Sequence, residues 1–486
     1  MGIGSRLLKN TTYLTVGNQI GTLLQFLFFL FFARHYGQII VGQYSFVFSF
    51  TYLLSVFADL GLSAYIIREV AKKNDNRQIF VKCLTLRLLS IALFFSLGTI
   101  TILIFPEKFY GNTIIIFLLL GGYHVFFSIA DVFLAEFTGH DRMGLVAILT
   151  IFLRFIITCP AIFLIFLGFD FLIVLICFPV GSFLYLVACI FFSYYYFKNI
   201  KLYFRDLYLK KLFIEILPFA FAIFFTSALY HQDILILKFL KNDQIVGIFS
   251  AASRVILALL GVLVFIYTAM LPTFSRLYVD SRSKLVEISE QSLRYFLLIS
   301  LPMATGLYAI SDEVIVLFFS DSFKDSVSVL RILSWTIPFC FALIPYSVLL
   351  TAIDRQAQKV IAIGVGLSLN ILINLIIIPK FSYNGAAFAK LIAEALLFIM
   401  MAYLVSKYFV TLSLHRYFLK PFIASFFMYI FLSIFSQLSL IWLILLASLV
   451  YSLSLIALRG YEKDEIEFLK GAYSRIYLNA KGIIKK

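Results

Sequence analysis

The sequence predicts an all-α polytopic membrane protein of about 14 transmembrane helices, built as two six-helix lobes in parallel pseudo-twofold repeat plus a C-terminal helix pair. Three observations carry this. First, 62% of the 486 residues are hydrophobic and only 13% charged, against about 45–50% and about 25% in soluble domains. Second, the apolar residues fall in long unbroken runs, such as Leu438 to Leu458, rather than in the alternating segments of about ten residues that build a β-barrel. Third, short motifs recur at corresponding loops of the two halves. With roughly 20 apolar residues per crossing plus a connector, the length accommodates about 14 crossings and little else.

In chain order, spans are expected near 11–33, 42–65, 83–105, 112–135, 144–168 and 169–192. Six more follow near 213–237, 245–271, 291–311, 327–351, 358–378 and 385–405, and a final pair near 418–437 and 439–458. The corresponding units are 1–200, 201–410 and 411–460, followed by a basic tail at 461–486. The N-terminus has no short apolar core with a small-residue cleavage site, so the first helix is expected to be retained. The connector Ser193 to Leu212 is rich in Tyr, Lys and Arg, which suits a helix at headgroup level.

Charge sets the orientation. Of 40 Lys and Arg, 28 lie in or beside the termini and even-numbered loops, and seven lie within spans. The opposite loops hold five: Arg34, Lys108, Lys241, Lys324 and Lys380. The positive-inside rule then places both termini in the cytoplasm. The net charge of +15 is thereby largely a topology signal, and no nucleic-acid partner is implied.

The repeat is legible at two places. "VGQYSF" from Val41 opens the second span and "VGIFSA" from Val246 opens the eighth, 205 positions later. "TGHDR" from Thr138 and "TAIDR" from Thr351 follow the fourth and tenth spans, 213 positions apart. Six helices per half is an even number, so both halves enter from one side. Such parallel repeats are related by an axis along the membrane normal, with a substrate site between them.

Polar residues inside spans are the candidate functional groups, because a charge at mid-bilayer costs about 2.5–3.5 kcal/mol on insertion scales. Arg154 and Arg254 lie nine or ten residues into their spans, roughly 14 Å deep, too deep for snorkelling, and are expected to face an internal cavity. Arg87, Lys238, Arg294 and Arg331 lie nearer span ends and are expected to be snorkelling anchors. Thr11, Thr15, Asn18, Thr22 and Gln25 share one helix face, and Ser45, Ser49, Tyr52 and Asp59 form a similar stripe on the next span. Thr226, Tyr230 and Asp233 repeat it on the seventh span, and Ser250 with Arg254 on the eighth. The reading assigns substrate contact to Arg254, Arg154, Asn18, Gln25, Tyr52 and Ser250. Asp59, Asp233 and Glu394 are the candidate ion-coupling carboxylates, with Lys390 one turn before Glu394 able to neutralise it. His231 reads as a hydrogen-bonded filler, and Cys83, Cys159, Cys177, Cys189 and Cys340 as small apolar residues without metal-ligand spacing. No P-loop, nucleophile elbow or metal-ligating cluster is present in the sequence, so neither an enzyme nor an ATP-driven pump is expected, and no cofactor.

"ARHYGQIIVGQYSF" (Ala33 to Phe46), "DLGLSAYIIREVAKK" (Asp59 to Lys73), "VGIFSAASR" (Val246 to Arg254) and "INLIIIPKFSYNGAAFAKLIAEA" (Ile373 to Ala395) resemble Wzx-type bacterial polysaccharide flippases, in a superfamily shared with multidrug extruders and the lipid II flippase. The resemblance covers nearly the whole chain. It implies that an undecaprenyl-pyrophosphate-linked oligosaccharide is moved from the cytoplasmic to the periplasmic leaflet of the inner membrane by alternating access, for O-antigen or other surface polysaccharide. It further implies that Arg254 and Asp59 occupy family positions, while the first span carries Asn18 and Gln25 where some relatives carry arginines. The implied partners are the lipid-linked glycan, the bilayer, the polysaccharide polymerase and the chain-length regulator. Two other readings stand beside it. A cation-coupled extruder of small molecules would use the same fold with an acidic cavity. A membrane-embedded glycosyltransferase or polymerase would need a large external loop or soluble domain, which the sequence lacks.

Overall fold

The computed structural model describes residues 3–59, 61–72, 77–197 and 209–460. Side chains are described from 17 onward, apart from 18, 77–78, 209–215 and 217–219. The expected headgroup-level helix falls mostly on 198–208 and the basic tail on 461–486, both outside the described residues.

Sixteen α-helices and no strand occur among the described residues. The N-terminal half comprises α1 (Ile3–Asp59), α2 (Leu62–Lys72), α3 (Arg77–Ile104), α4 (Thr113–Gly139), α5 (Met143–Phe166) and α6 (Phe171–Phe197). The second half comprises α7 (Leu209–Leu240), α8 (Asp243–Leu260), α9 (Leu263–Asp280), α10 (Arg282–Ala309), α11 (Ser311–Phe319), α12 (Ser326–Ser334), α13 (Thr336–Ala352) and α14 (Gln356–Tyr408). A last pair, α15 (Leu414–Ile434) and α16 (Leu440–Ala457), packs on the second half through α10.

Eleven of the described segments are long and apolar enough to cross a membrane, or 12 when the pair α10 and α11, bent by 72°, counts as one. Two of them are double length. α1 breaks at Gly37 (φ 75°, ψ −178°) and α14 at Ser382 (φ 54°, ψ −132°), so dividing these two brings 12 to the expected 14. Nothing lies within 4 Å of a Cβ placed on Gly37, so its backbone conformation, not space, calls for glycine there. The outside is apolar: Leu103, Ile441 and Trp442 are 73%, 72% and 62% exposed, as expected where the solvent is hydrocarbon. The packed interior is aromatic, with Phe28 and Tyr44 in ring contact with each other and each with Phe32 and Phe178.

The repeat seen in the motifs is present in the backbone. In the two TxxDR loops, Asp141 and Asp354 both take φ 60°, a conformation that Asp tolerates better than most residues. Each loop then closes the preceding helix with the same bond, from the Arg142 amide to the Phe137 carbonyl (2.9 Å) and from the Arg355 amide to the Leu350 carbonyl (2.8 Å). The motif glycines are more informative still. A Cβ on Gly42 would sit 1.8 Å from the Asp243 carbonyl oxygen, and one on Gly247 would sit 2.0 Å from that of Gln38. Adding 205 to 42 and 38 gives 247 and 243, so this is one contact made twice by a twofold, the reciprocity of an isologous interface. The halves thus cross backbone to backbone at α1 and α8. Around the crossing Gln244 donates to Gln38 (3.0 Å), and Gln38 and Arg34 donate to the Ser322 and Leu317 carbonyls of the second half. The halves are therefore closed on each other at the face that carries the cation-poor loops.

Candidate functional site

Behind this crossing lie two adjoining cavities that share Arg254. The larger, about 720 Å³, is lined from α7, α8, α13 and α14 by His231, Asp233, Ser250, Cys340, Lys390 and Glu394, among others, and from α1 by Ser49. The smaller, about 410 Å³, is lined by Gln25, Tyr44 and Phe48 of α1, Tyr123 of α4 and Arg154 of α5. Arg254 and Arg154, 100 residues apart, therefore reach one cavity system from opposite halves, as their depth in the spans predicts.

Neither arginine has a carboxylate within salt-bridge distance among the described residues. Arg254 instead lies over the rings of Phe29 (5.0 Å) and Phe48 (5.6 Å), a contact worth about 0.5–2 kcal/mol. The Ser250 and Ser253 hydroxyls on the same wall have no hydrogen-bond partner among the described residues. Unmatched cations and free hydroxyls in one concave space are what an anionic, hydroxyl-rich ligand requires.

The acids of the cavity are matched. Asp233 accepts from the Asn374 amide (2.7 Å), the Asn370 amide (3.3 Å) and the Gln232 amide (2.7 Å). The Lys390 ammonium stands 3.9 Å from Asp233 and 3.4 Å from Glu394, and donates to the Leu229 carbonyl (2.7 Å). Lys390 and Glu394 pair as their one-turn spacing predicts. Asn370 and Asn374 escaped the sequence reading, although two amides one turn apart in an apolar run are a usable signal.

Other candidates land as follows. Gln25 and Ser250 line the cavities, and the Asn18 side chain lies outside the described residues. Tyr52 stacks on His231 (4.5 Å between ring centres), whose Nδ1 is 3.1 Å from the Ser49 hydroxyl, so His231 is held as a filler and Tyr52 backs the wall.

Asp59, a candidate ion-coupling carboxylate, is paired: the Arg87 guanidinium donates to it at 2.5 Å. Arg87 also stands 3.6 Å from Asp131, and Ser63 bridges the two carboxylates. Arg87 is 1% exposed and is no snorkelling anchor. Lys238, 2% exposed, is likewise not one, since it pairs with Asp243 at 2.5 Å beside the glycine crossing. Depth along a helix does not reveal which face a residue occupies, and these partners lie on other helices or across a turn. No group of three or more His, Cys, Asp or Glu placed to hold a metal occurs among the described residues.

The family described as "Polysaccharide biosynthesis protein" matches residues 7–278, more than half of the chain. The chain belongs to that family. No curated protein sequence matches. Among solved structures, the lipid II flippase MurJ in an inward closed conformation superposes with a TM-score of 0.72 at 19% identity, covering 92% of this chain and 98% of that one. An inward-facing multidrug resistance MATE family transporter of the MOP superfamily gives 0.60 at 15% identity, over 80% and 95%. A MOP superfamily transporter from Pyrococcus furiosus, titled for the reverse polarity of its binding pocket, gives 0.55 at 17% identity, over 82% and 96%. At these identities the likeness establishes the fold, a multi-pass transporter fold.

Proposed function

We propose that the protein flips an undecaprenyl-pyrophosphate-linked oligosaccharide from the cytoplasmic to the periplasmic leaflet of the bacterial inner membrane, for O-antigen or another surface polysaccharide. The observation that carries this reading is Arg254, a deep cation with no carboxylate partner among the described residues, lining one cavity together with Arg154 from the other half. A pyrophosphate crossing hydrocarbon needs such a counter-charge, and a planar guanidinium can grip its oxygens bidentately. The neighbouring serine hydroxyls and Gln25 suit sugar hydroxyls. Membership in a polysaccharide biosynthesis family supports the same cargo class, and the lipid II flippase is a neighbour in fold. Deleting the gene should stop surface polysaccharide and trap one lipid-linked glycan in the cytoplasmic leaflet. An unchanged surface glycan with no trapped lipid would reject the proposal.

A second reading, a cation-coupled small-molecule extruder, draws on Asp233 and Glu394 in the cavity wall. Lys390 between them and the two unmatched arginines weigh against a cationic cargo.

In this reading residues 1–200 and 201–410 are the moving lobes, 411–460 an added pair and 461–486 a cytoplasmic tail. Both termini are cytoplasmic, and the Gly42–Gly247 crossing is the periplasmic gate. Either Gly→Ala change puts a methyl about 2 Å from a backbone carbonyl, which no rotamer relieves, so the gate should open at a cost to closure of about 1–3 kcal/mol. Cys340, in the cavity wall, is a built-in reporter. With the other four cysteines replaced, an impermeant maleimide added outside should label Cys340 about ten times faster in Gly247→Ala than in the glycine parent. Faster labelling only from the cytoplasmic side would reverse the orientation, and no change would remove the gate.

A further inference from the structure

The central cavity continues beyond Arg254 along the second half alone. It opens into a chamber of about 1030 Å³ between α7, α9, α13 and α14. Tyr230, Leu260, Cys340 and Glu394 line both spaces. The chamber walls are mostly apolar, with Leu263, Ile344, Ile363, Leu397 and Met401 among them. Two charged groups line it, Glu394 where it joins the central cavity and Lys359 in the first turn of α14. Glu394 stands 12 residues from the Ser382 break and Lys359 stands 23, so Lys359 lies about 16 Å farther from that break. In the proposed orientation this is the cytoplasmic mouth of the cavity.

Lys359 is half-buried and turned into the chamber, not outward to the headgroups. Its ammonium donates to the Tyr267 hydroxyl (3.1 Å) and the Thr351 hydroxyl (3.4 Å), and lies 4.6 Å from the centre of the Tyr267 ring. Thr351 itself donates to the Ser347 carbonyl (3.0 Å), so the Tyr267 hydroxyl donates to Thr351 at 2.8 Å. These neutral partners fix the ammonium without cancelling its charge, and one of its three N–H donors is left over. No carboxylate lies within salt-bridge distance of Lys359 among the described residues. Glu394, at the other end of the chamber, is 3.4 Å from Lys390.

The repeat supplies a comparison within the chain. The 213-residue offset of the TxxDR loops sets Val146 against Lys359, and the 205-residue offset sets Leu62 against Tyr267. Val146 and Leu62 are both buried. The fold therefore needs neither a cation nor a hydroxyl clasp at these positions, and the second half alone has both.

We propose that Lys359 is a loading residue of the transport path, an inference that rests on the lipid-linked glycan reading. At the cytoplasmic mouth it holds the pyrophosphate of the incoming lipid, and the apolar walls take the isoprenoid units next to it. The headgroup then passes along the shared space to Arg254. Two unmatched cations at different depths, joined by one continuous cavity, give the anion a first and a second hold.

The test measures flipping in liposomes over a range of contents of an undecaprenyl-pyrophosphate-linked oligosaccharide. Lys359→Met should raise the half-saturating content about tenfold and change the maximal rate less than about twofold, the mark of lost binding and not of lost turnover. Methionine suits the apolar walls and its introduction orphans no charge, so the variant is expected to fold. Lys359→Gln is its companion with the same expectation, and Lys359→Arg should restore saturation. Undecaprenyl pyrophosphate without a glycan should compete with the wild-type cargo at least about ten times better than inorganic pyrophosphate, because burying each isoprenoid carbon adds affinity. Unchanged half-saturation in the Met and Gln variants, beside normal wild-type flipping, would overturn the loading site and leave the role of Arg254 standing. Equal competition by inorganic pyrophosphate would overturn the part given to the chamber walls. Wild-type protein that flips no lipid-linked glycan would reject the transport reading itself, and this site with it.

Discussion

Arg254→Ala should leave the protein at normal abundance in the membrane while surface polysaccharide disappears. The two halves of this expectation have separate causes. Arg254 has no carboxylate partner among the described residues, so its removal orphans no buried charge. What is lost on folding is its contact with the Phe29 and Phe48 rings, about 0.5–2 kcal/mol. What is lost in transport is a charge-assisted, bidentate hold on a desolvated pyrophosphate. At about 1.5–3 kcal/mol per such bond, flipping should slow by more than tenfold. Arg254→Lys keeps the charge and loses the fork, so it should restore export in part. Immunoblotting of membranes beside quantified surface glycan makes the measurement. An abundant Ala variant with normal glycan would remove Arg254 from the mechanism, and a degraded one would make its role structural.

Arg87→Ala should do the reverse. Arg87 is buried between Asp59 and Asp131, with Ser63 joining the carboxylates, and it lines neither central cavity. Removing one member of a buried ion cluster leaves uncompensated charge and typically costs about 3–5 kcal/mol. The variant should be depleted from the membrane. Replacing the cluster together, as Arg87→Met with Asp59→Asn and Asp131→Asn, should recover abundance, because neutral groups of similar size avoid the desolvation penalty. Recovered abundance with recovered export would confine the cluster to structure. An abundant Arg87→Ala variant that exports nothing would instead move Arg87 into the transport path.

These two arginines also mark how far the sequence could be read. Composition and run length settle helix number and type, because each span must satisfy its own backbone hydrogen bonds in lipid. Periodic motifs reveal the repeat, and the same glycines and aspartates that make the motifs visible are those the backbone needs at Gly42, Gly247, Asp141 and Asp354. Depth alone correctly sends Arg154 and Arg254 to the cavity. It fails for Arg87 and Lys238, since the rotation of a helix and the identity of its neighbour decide whether a charge is paired. Asp59 meets a partner 28 residues away on α3 and Lys238 one across a turn, and neither pairing has a sequence signature.

The most direct measurement places the purified protein in liposomes with an undecaprenyl-pyrophosphate-linked oligosaccharide in one leaflet and follows its appearance in the other with a membrane-impermeant glycan-cleaving probe. Wild-type protein should expose the inner-leaflet glycan to the probe, Arg254→Ala should do so at least about ten times more slowly, and a small organic cation should not be carried. Transport of the cation with the lipid-linked glycan left in place would contradict the account and return the protein to the extruder reading.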